Sequence, residues 1–462
     1  MKLLKIAAAC GCMALTGCNG SKESGGQSPI DPTDPPVHLP EYNVLEVYID
    51  DTVLPTANHM MKIVSEGNDN KKFVSWSNHS DEASDVLEGY NATLFSEQAT
   101  LAQAALDELT SSNETLNIII NANIAQSNDV AKFIYELDAV GGYDLRELNL
   151  YDTGTTEYLK AYELSLQSEI EQKIELDYGH QKIIDAIANP IGDELEVKAS
   201  NIYSWHNAFK PTSTNETKVT YIAARSDYFI QDDSAHLLNK HVGNHLVQMD
   251  WDAYEKLSDA SQSDFSALTG FDTTSIREAF SEEPRDTLLY LAVEEHVAHA
   301  ERQGGITVGA TSPLGHIEEL DTEHVIVQKA HMNSDQDFID KLTKYSNSEI
   351  NVMNEIPTEV LYMSGIHPTT VAGIGSEAVL IKPTSTKIEF LVHDSEYATP
   401  VKDELTKILI NMGDITTDHV YNYSDVVDHI FPQDPTYPEH PIHDEPAVPV
   451  QPLPPEEKRS RL

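Results

Sequence analysis

The chain has 462 residues, of which 30 are Lys or Arg and 76 are Asp or Glu, giving a formal net charge of −46. That balance excludes a nucleic-acid partner, whose phosphates need basic side chains, and disfavours an anionic lipid surface. The acid is spread along the chain as a solvated surface, so any cleft for an anionic ligand needs local basic or dipolar groups.

Lys2 and Lys5 precede the short apolar run 6–14, and Leu15-Thr16-Gly17-Cys18 has the form of a lipobox. Residues 1–17 are therefore expected to be a lipoprotein signal peptide, cleaved before an acylated Cys18. Asn19 beside the cysteine points to an outer-membrane lipoprotein, anchored to the membrane rather than spanning it. Cys10, Cys12 and Cys18 are all the cysteines, so the mature domain is expected to hold no disulfide and no cysteine metal site. Residues 18–40, rich in Gly, Ser, Asp and Pro, are predicted to be a flexible tether.

From Asn43 strand and helix signals alternate. Strands are predicted over 44–49, 73–76, 116–122 and 145–151, with helices over 55–65, 97–109, 129–140 and 158–176. The second half repeats the theme, with strands over 219–223, 287–293, 324–328, 371–374 and 388–393, and helices over 335–345, 357–363 and 400–412. Alternation of this kind gives βαβ units and parallel sheets covered on both faces. The predicted fold class is α/β, with two doubly wound, Rossmann-like domains, 41–214 and 215–398, facing a cleft. Residues 399–431 are expected to be C-terminal helices and 432–462 a Pro-rich tail.

Other constellations are weak. Gly304-Gly305-Ile306-Thr307-Val308-Gly309 lacks the Gly-Lys-Ser/Thr of a phosphate loop. His296 and His299 with Glu294 and Glu295 lack the spacing of a helical zinc site and read as a solvated helix. His440, His443 and Glu445 have no fold to fix their geometry. No metal site is expected.

The strand at 145–151 runs into Tyr151-Asp152-Thr153-Gly154-Thr155, which should be a loop at its C-terminal end, the edge where open α/β sheets bind ligands. The segment 148–158 resembles a signature of bacterial sialyltransferases of glycosyltransferase family 80. There the strand ends in Tyr-Asp-Asp-Gly-Ser, and the second Asp is the general base; here Thr153 stands at that position. Val47-Tyr48-Ile49-Asp50 with Leu54-Pro55, Phe73-Val74-Ser75-Trp76, Asn123-Ile124-Ala125, Tyr203 to Phe209, Ser226 to Phe229, Met249 to Tyr254, Glu359 to Gly365 and Val371 to Ser376 are also similar to family segments, collinear from about Asn43 to Ile430. The resemblance implies a GT-B-like architecture, an acceptor-side first domain, a nucleotide-sugar second domain, and terminal helices that pack back on the first.

It also implies an inverting, metal-independent sialyltransferase that carries sialic acid from a CMP-sialic acid donor to a galactosyl glycan acceptor, with no further cofactor. The family's Lys-Gly-His-Pro-x-Gly-Gly becomes Lys329-Ala330-His331-Met332-Asn333-Ser334-Asp335. It makes Lys329 a nucleotide contact and His331 the group that assists phosphate departure, as a cationic imidazole can. Glu359 matches the ribose-binding Glu, and Ser376-Glu377 a phosphate-gripping Ser-Ser pair. Thr153 cannot accept a proton near neutral pH. Asp152 serves as the base only if a bulge re-aims it; otherwise it is a turn residue bonding backbone ahead of Gly154. The family's acceptor-stacking Trp has no counterpart in 287–295. These departures imply the alternative: a catalytically degenerate member acting as a surface glycan- or anion-binding lipoprotein.

Overall fold

The computed structural model describes residues 43–67, 69–188, 201–209, 217–230, 245–281, 286–291, 324–330, 336–345, 350–352, 356–374, 376–393 and 400–422. Cys18, the signal peptide, the tether, His331, the Gly-rich 304–309 stretch and the tail lie outside the described residues.

The first half runs β1 (Val44–Asp50), α1 (Val53–Glu66), β2 (Lys71–Trp76), α2 (Ala83–Glu88), β3 (Ala92–Leu94), α3 (Gln98–Ser111), β4 (Leu116–Asn123), α4 (Ser127–Val140), β5 (Tyr143–Tyr151), α5 (Thr155–Ser165), α6 (Glu169–Ala188), α7 (Asn201–Ala208), β6 (Lys218–Ala223), α8 (Ser226–Ile230) and β7 (Leu246–Gln248). Two helices follow, α9 (Asp259–Thr269) and α10 (Thr274–Ser281). The second half runs β8 (Asp286–Leu291), β9 (His324–Lys329), α11 (Gln336–Tyr345), β10 (Ile350–Val352), α12 (Thr358–Met363), β11 (Thr370–Ile374), α13 (Glu377–Leu380), β12 (Lys387–His393), α14 (Pro400–Met412) and β13 (Val420–Asn422).

All strand pairings are parallel, in two sheets ordered β3-β2-β1-β4-β5-β6-β7 and β10-β9-β8-β11-β12-β13. Each is doubly wound, reversing direction between its first strand and the one that starts the other wing. The central strands are buried along nearly their whole length, as strands covered on both faces are. Leu45, Val47 and Ile49 of β1 and Leu116, Ile118 and Ile120 of β4 are all buried. The halves also touch: α1 packs on α12, Trp251 meets Tyr362 edge-on, and α14 returns to α5.

Two expectations change. The boundary at 214/215 does not separate the sheets, because β6 and β7 extend the first sheet and the second begins at Asp286. The helix predicted over 158–176 is two helices. Ser168 and Glu171 form a reciprocal cap, with Ser168 N and Oγ donating to Glu171 Oε2 at 2.9 and 2.7 Å and Glu171 N donating to Ser168 Oγ at 3.4 Å. That cap restarts the chain as α6.

Candidate active site

Ligands of doubly wound sheets bind beyond the carboxyl ends of the strands, at the point where strand order reverses. In the first sheet that point lies between β1 and β4, ending in Asp50 and Asn123. Asp50 Oδ1 accepts from Thr52 N (2.8 Å), Thr52 Oγ1 (3.1 Å) and Asn123 Nδ2 (3.3 Å). Asn123 Nδ2 also reaches Asp51 Oδ1 at 3.3 Å, and its own Oδ1 accepts from Ala125 N at 2.7 Å. Asp51 is exposed on this edge. Asp50 Oδ2 has no hydrogen-bond partner and faces His59 Nδ1 at 3.8 Å, too far for a direct bond. His59 is fully buried among Tyr48, Trp76 and Tyr151, and burial holds its imidazole well below its ordinary value.

Burial pushes the Asp50 carboxyl up to about 7, against the pull of its Thr52 and Asn123 donors. An unfolded Asp titrates at about 3.9. The folded chain therefore holds this proton more tightly, and the resulting stability is complete below about pH 4 and lost as pH rises towards 7. Asp50→Asn keeps an acceptor for Thr52 but cannot ionise. Thermal melts at constant ionic strength should show the variant gaining on the parent between pH 4 and 7, by on the order of a few kcal/mol, and running level above that. A pH-independent difference would overturn the buried-acid assignment.

The loop after β5 is built around Asp152, which is fully buried. Its Oδ1 accepts from Gly154 N at 2.8 Å, and its Oδ2 accepts from Ala224 N at 3.0 Å and from the Tyr158 hydroxyl. Burial pushes this carboxyl up to about 6, against those bonds. Both oxygens are occupied inside the fold. The geometry thus differs from the expectation of a re-aimed base: no bulge turns Asp152 to the crevice, and Thr153 is the half-buried residue beside it.

Tyr158 continues the network, its oxygen accepting from Arg225 N at 2.8 Å. The buried Arg225 guanidinium donates to Asp227 (3.0 and 2.7 Å) and Asp414 (2.6 and 3.2 Å), and approaches Leu380 O at 3.5 Å. Lys382, also buried, lies 3.6 Å from Asp414, and burial and the neighbouring Arg225 lower its amine to about 8. This cluster ties the end of β6 to α13 and α14.

On the second sheet the described residues of the expected nucleotide set lie at carboxyl ends. Lys329 closes β9; its buried Nζ donates to Ala330 O, and burial lowers it to about 8 against the charge of Glu359. Glu359 is half-buried in the first turn of α12, close enough to act on Lys329 electrostatically. Half-buried Ser376 follows β11, the strand at the second reversal point, and its carbonyl accepts from Val379 N at 3.0 Å. Among the described residues no group of three His, Cys, Asp or Glu is placed to hold a metal.

Sequence reasoning missed His59 and Arg225, which carry no local signal. Thr52 had one: an Asp two residues before it is a common turn pattern.

A family model described as "Sialyltransferase PMO188" matches residues 45–409. No curated protein matches the chain. Among solved structures the chain is similar to an α/β-galactoside α-2,3-sialyltransferase from Photobacterium phosphoreum, a luminous marine bacterium, at 24% identity, TM-score 0.69, covering 83% of this chain and 99% of that one. It is similar to a sialyltransferase from Photobacterium damsela at 24% identity, TM-score 0.67, covering 82% and 81%. It is also similar to a 2,6-sialyltransferase from Vibrionaceae Photobacterium sp. JT-ISH-224, solved in a ternary complex with donor product CMP and acceptor substrate lactose, at 22% identity, TM-score 0.65, covering 82% and 78%. These likenesses establish the GT-B fold.

Proposed function

The chain belongs to the sialyltransferase PMO188 family, and on that premise we propose that it binds a CMP-sialic acid donor on its second half and presents a galactosyl acceptor from the first. The observation that carries this reading is Lys329 brought beside Glu359 at the carboxyl edge of the second sheet. A buried amine with one carboxylate nearby suits a nucleotide, whose ribose hydroxyls take the carboxylate and whose phosphate takes the cation. The likeness in fold to a structure that holds CMP and lactose supports the same assignment. His331, two residues past Lys329, is the proposed group for phosphate departure. Acylation of Cys18 would place this site at the outer membrane.

One observation favours the second reading, a glycan- or anion-binding relative without turnover. Asp152 is closed on Gly154, Ala224 and Tyr158, and Thr153 offers no carboxylate. Removal of a general base typically costs about 10²- to 10⁴-fold in rate.

Calorimetric titration of CMP, with CMP release from CMP-sialic acid in the presence and absence of lactose, separates these readings. CMP should bind saturably, and Lys329→Ala should weaken it by about tenfold to a hundredfold, the loss of one charged hydrogen bond. Because Lys329 loses its charge near pH 8, affinity should fall as pH rises through that value. Lactose-dependent release identifies a transferase; binding without release identifies the second reading. No saturable CMP binding would sink the donor assignment.

A further inference from the structure

Helix α6 is apolar on two faces. Leu176, Gly179, Ile183, Ala186 and Ile187 form the buried face, packed towards α4 and α7. Turned away from them are Ile170 (73% exposed), Ile174 (63%) and Tyr178 (51%), one helical turn apart. Ile184 lies on the same side of the helix but about 40° from Ile170, away from Tyr178, so the stripe proper is Ile170, Ile174 and Tyr178. Such residues scattered singly need no explanation, but a contiguous stripe rimmed by polar groups marks an interaction surface.

We propose that this stripe is the seam of a homodimer, in which α6 of one copy lies antiparallel to α6 of a second. The rim charges favour this occupant. A two-fold axis at the height of Leu176 sets Ile174 beside the partner's Tyr178. The same operation sets Lys182 beside the partner's Glu171 on one flank and Lys173 beside the partner's Asp177 on the other, and a two-fold axis makes each pairing twice. A lipid surface fits less well. Membrane-lying helices are rich in Lys and Arg on the polar face, whereas α6 carries Glu169, Glu171, Glu175, Asp177 and Asp185 against Lys173 and Lys182. The seam is short: with the axis at Leu176 the two helices overlap over residues 169–183, roughly 22 Å. It falls below the roughly 800 Å² per partner of a standard interface, so the dimer is a weak one in the micromolar range. The net charge of −46 opposes association at long range, and salt near 0.15 M screens it beyond about 8 Å.

Sedimentation velocity of the full chain across a micromolar concentration series, in about 0.15 M salt, tests the seam. A monomer–dimer equilibrium is expected. Ile174→Asp, at a solvent-exposed position, should raise the dissociation constant at least about tenfold. Lys173→Glu should raise it about two- to fivefold, and adding Asp177→Lys to Lys173→Glu should restore it, which mere loss of folding cannot do. A monomer throughout, a dimer indifferent to Ile174→Asp, or a charge swap without rescue would overturn the proposal. Flotation with phosphatidylcholine vesicles that Ile174→Asp abolishes, in a chain that stays monomeric, would assign the face to lipid instead and equally overturn it.

Discussion

Arg225→Met lowers the unfolding free energy by about 3–5 kcal/mol, the cost of removing one partner from a buried ion pair. The guanidinium is buried and meets two carboxylates, Asp227 and Asp414. Burial alone would lower its affinity for the proton, but the bonds to those carboxylates outweigh burial and hold it above its ordinary value. Asp414, for its part, is raised by burial and lowered more strongly by Arg225 and Lys382, so it sits below the usual carboxylate range. Methionine matches much of the arginine stem and leaves the backbone N–H that donates to Tyr158 intact, so the loss reports on the guanidinium. Among the described residues Asp414 then retains Lys382, 3.6 Å away. Denaturant unfolding followed by fluorescence suits the measurement, since Trp76, Trp205 and Trp251 are all buried and Trp251 Nε1 donates to Ala224 O at 3.3 Å, next to Arg225. Asp414→Asn and the double variant complete a cycle. A coupling under about 1 kcal/mol would place the cluster with exposed surface pairs and remove it as the brace between the β5 loop and the second half.

None of this was visible along the chain. Arg225 sits between Ala224 and Ser226 like any surface arginine, and Asp414 is 189 residues away. The elements that carried long apolar runs were legible: β1, β4, β5 and β12 lie close to their predicted ranges, and α14 matches its range to the residue. The edge strands β3, β7, β10 and β13 were missed because three residues are too few to show a period of two. Placing β6 and β7 in the first sheet required knowing that Tyr151 pairs with Ile222 and Ala223 with Gln248, contacts no local pattern encodes. The break before α6 was readable, because Ser168-Glu169-Ile170-Glu171 is a capping box, but the apolar spacing continued across it. At the site, the resemblance singled out Lys329, Glu359 and Ser376 as expected nucleotide contacts, and turn chemistry anticipated Asp152 bonding ahead of Gly154. His59 was missed because a helix-borne histidine gives no sign that it will be walled by three aromatic rings.

Gly373→Ala is expected to be more damaging still, costing more than about 4 kcal/mol, a size reserved for a few mechanisms. Two act here together. Gly373 has φ +117, where a side chain costs about 1–3 kcal/mol. Its Cβ would also stand 2.9 Å from both the backbone nitrogen and carbonyl carbon of Leu291, and closer still to that carbonyl's oxygen. These atoms belong to the paired strand β8, in register with Gly373, so they cannot swing aside as a flexible side chain would. The methyl group must push β8 from β11 at the reversal point of the second sheet, three residues before Ser376. Gly413→Ala separates the two causes. Gly413 also has positive φ, at +76, but a Cβ there meets nothing within 4 Å, so its cost should stay near 1–2 kcal/mol. Parallel unfolding curves for the two variants decide the matter. Equal losses would mean that backbone conformation alone dictates glycine at 373; a loss several times larger at 373 would show that the close approach of two central strands does, and CMP binding should disappear with it.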